Sequence, residues 1–73
     1  MSKVILGIDP GYGRTGYGVI ESEGSKLTSI DYGVIETSSG DEFLQRLKDL
    51  HKELQKIIKK HNPDLIAVED LFF

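Results

Sequence analysis

Two apolar runs, each ended by a carboxylate, constrain this chain more than any other feature. Val4-Ile5-Leu6-Gly7-Ile8 leads into Asp9, and Leu65-Ile66-Ala67-Val68, opened by Asp64, leads into Glu69. A run that is apolar at every position is the pattern of a strand covered on both faces, as at the centre of a parallel sheet. The first run stops at Pro10-Gly11, where proline removes a ladder donor and glycine frees the backbone to turn.

The segments between the runs supply the connection that a parallel pair requires. Gly16 to Glu21 reads as a second strand, with Tyr17, Val19 and Glu21 on one face. Ser22-Glu23-Gly24-Ser25-Lys26 is a turn, and Leu27 to Glu36 a third strand in which Thr28, Ile30, Tyr32 and Val34 alternate. The period then changes. Phe43, Leu44, Leu47, Leu50, Leu54, Ile57 and Ile58 recur at helical spacing, which predicts an amphipathic helix. Ser39-Gly40-Asp41-Glu42 has capping-box form, Glu42 and Arg46 make an i,i+4 pair, and Lys59, Lys60 and His61 suit the C-terminal dipole before Asn62-Pro63 ends the helix. A strand, helix, strand succession implies a right-handed crossover. The predicted fold is therefore α/β: a three-stranded antiparallel meander, one crossover helix and a fourth strand parallel to the first, in order 3-2-1-4.

Seventy-three residues make one small domain, and a chain of this size buries only about 60% of its extended surface. With no cysteine it has neither disulfides nor thiolate metal sites to help. That absence also fits a reducing, intracellular setting, and the leading apolar run is too short for a signal segment or a membrane span. The chain is expected to be soluble and cytoplasmic, with no membrane association. The helix covers one face of the sheet, no segment is left for the other, and an open apolar fourth strand is an aggregation site. The expectation is that residues 1–73 are the N-terminal portion of a single domain whose C-terminal portion is absent.

Net charge is −3, the opposite of the usual basic footprint of nucleic-acid binders. Residues 41–61 carry six basic and four acidic side chains, so the remaining segments hold the acidity. Parallel pairing of the two runs in near register would bring Asp9 and Glu69 out at the same C-terminal sheet edge, where ligands bind in open α/β sheets. Gly7 and Ala67, two residues before each acid, leave room beneath them. Paired carboxylates repel, and a cation or a shared proton relieves the strain. Oxygen donors without His or Cys suit Mg²⁺, with Mn²⁺ as a substitute, and such ions assist phosphodiester cleavage. Spacing alone leaves open the plainer alternative of two solvated strand ends. His51 reads as a core-edge residue, His61 as a surface residue matched to the dipole, and Tyr17 as packing on the sheet.

The stretch Ile5-Leu6-Gly7-Ile8-Asp9-Pro10-Gly11, followed by Thr15-Gly16-Tyr17-Gly18-Val19-Ile20, resembles the N-terminus of the RuvC Holliday junction resolvases. Asp64 to Glu69 followed by Phe72 is similar to that family's second motif. The resemblance covers essentially the whole chain and somewhat under half of a family member. It implies an RNase H-like fold and a homodimeric, Mg²⁺-dependent endonuclease that makes paired cuts in four-way DNA junctions during recombination and repair, alongside branch-migration machinery. Asp9 matches the first catalytic and metal-binding acid and Glu69 the second. The remaining acids, the dimerisation helix and most DNA-contacting basic residues would lie beyond Phe73, so this chain alone is expected to be inactive. Phe72 matches an aromatic that stacks on junction bases, with burial in the core as the alternative, which is the reading for Phe73. Arg14, in a turn where family members vary, is a candidate phosphate contact, although an exposed turn arginine is the commoner case.

Two other groups are similar in the first motif. One is the superfamily of actin, sugar kinases and heat-shock-chaperone ATPases, where the acid works with Mg²⁺ and the turn holds ATP phosphates. The other is a nuclease branch acting on structured RNA. Glu69-Asp70-Leu71-Phe72 fits the resolvases better than the ATPases.

Overall fold

The computed structural model describes residues 2–11, 13–37 and 42–69. It contains β1 (Ser2–Asp9), β2 (Arg14–Glu23), β3 (Lys26–Glu36), α1 (Phe43–His61) and β4 (Leu65–Val68). The strands form one sheet in the order β3-β2-β1-β4, with β1 antiparallel to β2, β2 antiparallel to β3, and β1 parallel to β4. The order and directions are those predicted.

The antiparallel strands run further than the apolar pattern suggested. Ser22, Glu23 and Lys26 lack alternation, yet they pair because the ladder satisfies their backbone groups. The β2–β3 loop shrinks to Gly24-Ser25, with Gly24 at φ +62° in the first central position of a tight hairpin. At the other turn Gly13 has φ +73°, and a Cβ on Gly11 would lie 2.6 Å from the Arg14 carbonyl oxygen. No side chain fits there.

One expectation for β3 fails. The pairing passes from Val19↔Asp31 to Ile20↔Ser29, so Ile30 is an extra residue in a β-bulge. Tyr32 and Val34 pair with Gly18 and Gly16 on one face, whereas Thr28 pairs with Glu21 on the other. The alternation of Thr28, Ile30, Tyr32 and Val34 is therefore broken at the bulge.

The core lies between sheet and helix. Leu6, Val19, Ile35 and Thr15 are buried, and the register sets them all on that face. Tyr17 shares it, its ring lying over Gly33, so that a Cβ there would sit 2.8 Å from the tyrosine hydroxyl. The far face is open: Tyr32 is 80% exposed, and Val34 and Leu65 are about half exposed. At the N-terminal end of α1, Phe43, Leu44 and Leu47 are also exposed.

Helix ends follow the sequence at one terminus only. Asn62 closes the C-terminus in the left-handed region, its N–H donating to the Ile58 carbonyl at 2.7 Å. At the start, Glu42 is the N-cap residue and makes no side-chain cap bond. Ser39, Gly40 and Asp41 of the expected box lie outside the described residues. Nor does Arg46 pair with Glu42. Its Nε donates instead to the Thr37 hydroxyl at 3.3 Å, because the helix start brings it over the end of β3.

His61 also departs from its expected place. Its side chain is only 11% exposed, and Nε2 lies 2.9 Å from Asp31 Oδ2, tying the last helical turn to β3. This bond is the main cause that holds the Asp31 carboxyl below its ordinary 3.8, with the Tyr32 N–H and the Lys60 charge adding to it against partial desolvation. A carboxylate with a lowered folded pKa stabilises above its unfolded value, and that stabilisation is lost as pH falls through the folded value. Thermal melts should therefore show the parent losing more stability than Asp31→Asn as pH drops below about 3.8. Parallel loss in both proteins would show that the bond contributes nothing.

Candidate metal centre

Asp9 is the last residue of β1, placed there because Pro10 cannot continue the ladder. Glu69 follows β4 directly. The β1–β4 register pairs Ile5 with Leu65, Gly7 with Ala67 and Ile8 with Val68. The Glu69 N–H donates to the Ile8 carbonyl at 3.0 Å, which carries this register one residue further and sets Glu69 opposite Asp9. Neighbouring strands lie about 4.8 Å apart. Both acids therefore stand side by side on the same edge, and alternation puts them on the same face as Gly7 and Ala67.

That face is the open one. Gly16 is opposite Asp9 and Gly18 opposite Gly7 in the antiparallel register. A Cβ built on Gly16 would lie 3.9 Å from the Asp9 Cβ, and nothing lies within 4 Å of one on Gly18. Glycines at these positions and alanine at 67 make a low floor. The hollow above it measures about 690 Å³, with Asp9 and Glu69 at one end and Tyr32 and Val34 along the β3 side. Two other hollows measure about 210 and 280 Å³.

The donor chemistry suits a hard divalent cation, since both groups offer carboxylate oxygens. Two carboxylates are too few to make a complete site. Among the described residues no group of three or more His, Cys, Asp or Glu gathers closely enough to hold an ion. Arg14 opens β2 and pairs with Glu36 at 3.5 Å across the strands, both side chains about 70% exposed. Such a surface pair is worth about 0–1 kcal/mol, so little holds the guanidinium against a competing anion. Phe72 and Phe73 lie outside the described residues.

One contact, at the opposite end of the β1–β4 pair from the acids, had no counterpart in the sequence pattern. Asp64, taken only as the start of the fourth strand, binds the backbone of Val4 twice: its N–H donates to the Val4 carbonyl, and its Oδ2 accepts from the Val4 N–H, both at 2.8 Å. An aspartate after a proline is a recognisable turn signal, but nothing local names a partner sixty positions away.

The model of the family "Crossover junction endodeoxyribonuclease RuvC" matches residues 5–73. This chain belongs to the RuvC family. Crossover junction endodeoxyribonuclease RuvC of Petrotoga mobilis is 54% identical over 70 residues, covering 96% of this chain and 43% of that protein. The Ruminiclostridium cellulolyticum RuvC is 49% identical over 70 residues, with 96% and 42% covered. The chain thus spans under half the length of these relatives. Thermus thermophilus RuvC superposes with a TM-score of 0.82 at 32% identity, over 96% of this chain and 44% of that one. The T. thermophilus RuvC in complex with a Holliday junction substrate gives 0.85 at 31%, over 96% and 45%. The sheet order and crossover are those of an RNase H-like fold, as the RuvC motifs implied. An Aquifex aeolicus PPX-GPPA enzyme, 18% identical with a TM-score of 0.71 over 93% of this chain and 26% of that one, shares the fold alone.

Proposed function

We propose that this chain is the N-terminal part of a single RNase H-like nuclease domain that resolves four-way DNA junctions by paired phosphodiester cleavage in recombination and repair. The observation that carries the reading is the placement of Asp9 opposite Glu69 at the β1–β4 edge in a chain that belongs to the RuvC family. Family membership favours this reading over the ATPases and the RNA-processing nucleases. Asp9 and Glu69 are assigned as catalytic residues and ligands of Mg²⁺, for which Mn²⁺ substitutes.

When bound, a divalent ion supplies activation of water and stabilisation of the leaving oxygen. The residues in hand do the rest of the positioning. Asp9 and Glu69 present oxygen ligands from two strands paired in one ladder, and the glycine floor keeps side chains away from the approaching backbone. Phe72 is assigned to stacking on junction bases, worth about 1–3 kcal/mol per base, and Arg14 to a phosphate contact. Two acids without further ligands leave residues 1–73 alone inactive. The family-length protein acts as a homodimer in the cytoplasm, with branch-migration machinery as its partner.

In that family-length protein, Asp9→Asn and Glu69→Gln are each expected to abolish Mg²⁺-dependent junction cleavage, measured on a synthetic four-way junction, while binding of the junction changes little. Cleavage retained by either variant rules out its catalytic assignment. Phe72→Ala is expected to reduce cutting much more than thermal stability, and a loss of melting temperature alone would mark Phe72 as core. Arg14→Ala should weaken binding evenly across junction sequences and reduce the salt slope by about one ion; an unchanged slope rejects the phosphate contact.

A further inference from the structure

β4 has an unusual problem of register. Leu65, Ile66, Ala67 and Val68 are apolar on both faces, and a strand without a polar face does not distinguish one register from the next. In residues 1–73 all four are exposed, so within this chain burial does not distinguish the registers. The consequence for the acids is severe. A slip of one residue turns Glu69 to the face opposite Asp9, and a slip of two carries it along the sheet by about 6.6 Å. Either would dissolve the paired site.

We infer that Asp64 is a positioning residue for the metal centre: its clamp on Val4 sets the register that brings Glu69 beside Asp9. The clamp is two-way, with N–H donated to the Val4 carbonyl and Oδ2 accepting from the Val4 N–H, each at 2.8 Å. Regular continuation of the ladder would offer the Val4 N–H the carbonyl of Pro63, where the chain is still leaving the helix cap. The Asp64 carboxylate takes that place. The ladder begins one residue beyond this clamp, at Ile5↔Leu65, and keeps the same offset through Gly7↔Ala67 and Ile8↔Val68, and so to the acids. Asp64 sits at the N-terminal end of β4 and Glu69 just past its C-terminal end, so Asp64 acts on the ion only through strand placement. The side chain works as a short hydrogen-bond acceptor, a task asparagine can also perform.

This inference rests on the metal-site reading above and deepens it. The test uses the family-length protein, with Mn²⁺ binding measured by titration calorimetry and amide hydrogen exchange followed at Val4 and Glu69 without metal. Removing a group that orients metal ligands costs about 10–100-fold in affinity. Asp64→Ala, which lacks the acceptor, and Asp64→Glu, which displaces it by a methylene, should weaken Mn²⁺ binding about tenfold or more and speed exchange at both amides. Asp64→Asn should stay within about twofold of the parent in both measurements, on the same acceptor argument. Parent-like Mn²⁺ affinity in Asp64→Ala or Asp64→Glu overturns the inference, as does an Asp64→Asn variant as weak as the other two. Should Asp64→Ala fail to fold, the Glu and Asn variants decide by the same criteria. Asp9→Asn separates the two readings: Mn²⁺ affinity unchanged in that variant removes the metal site itself, whereas its loss beside a parent-like Asp64→Glu removes only the role of Asp64.

Discussion

The parallel pairing of β4 with β1 is the constraint on which the rest of this structure depends. An antiparallel return would need only a hairpin, whereas a parallel one obliges the chain to cross the sheet. The nineteen residues of α1 make that crossing. Once it is made, both strands point their C-terminal ends the same way, and the acids that terminate them share an edge. The core follows from the same crossing, because the helix lies over the face that carries Leu6, Val19, Thr15 and Ile35.

The two faces of the sheet are consequently unequal. On the helix side, apolar side chains and the His61–Asp31 bond hold the layers together, and the Tyr17 ring lies over Gly33 within the sheet. On the other side, glycines and an alanine lie beneath the acids, flanked by the exposed Tyr32, Val34 and Leu65. Large exposed apolar surface of this kind marks a place where other groups pack. Anything seated on it would also wall the acids and lower the dielectric around them.

Membership in the RuvC family and likeness to the T. thermophilus structures stand beside a geometry that brings two carboxylates to one sheet edge, the arrangement on which the proposed metal site rests. The PPX-GPPA likeness marks the boundary of the argument from fold. One sheet order serves different chemistries, so the fold alone does not assign one.

Much of this was readable from local pattern. Uninterrupted apolar runs, a change from a two-residue to a 3.6-residue period, and proline or glycine at the breaks determined the elements, their order and the shared edge of Asp9 and Glu69. The RuvC-like motifs narrowed the chemistry beyond what spacing alone could do. Pattern failed where an outcome depended on a partner distant in sequence. The bulge at Ile30 depends on how β3 meets β2. His61 left the surface because the helix end meets Asp31, and Arg46 chose Thr37 over Glu42 because the end of β3 lay within reach. Asp64 is the clearest case. Sequence alone placed both acids at strand ends in near register, whereas the register that sets them opposite each other is a relation between two backbones, fixed only when the folded sheet brings Val4 to Asp64.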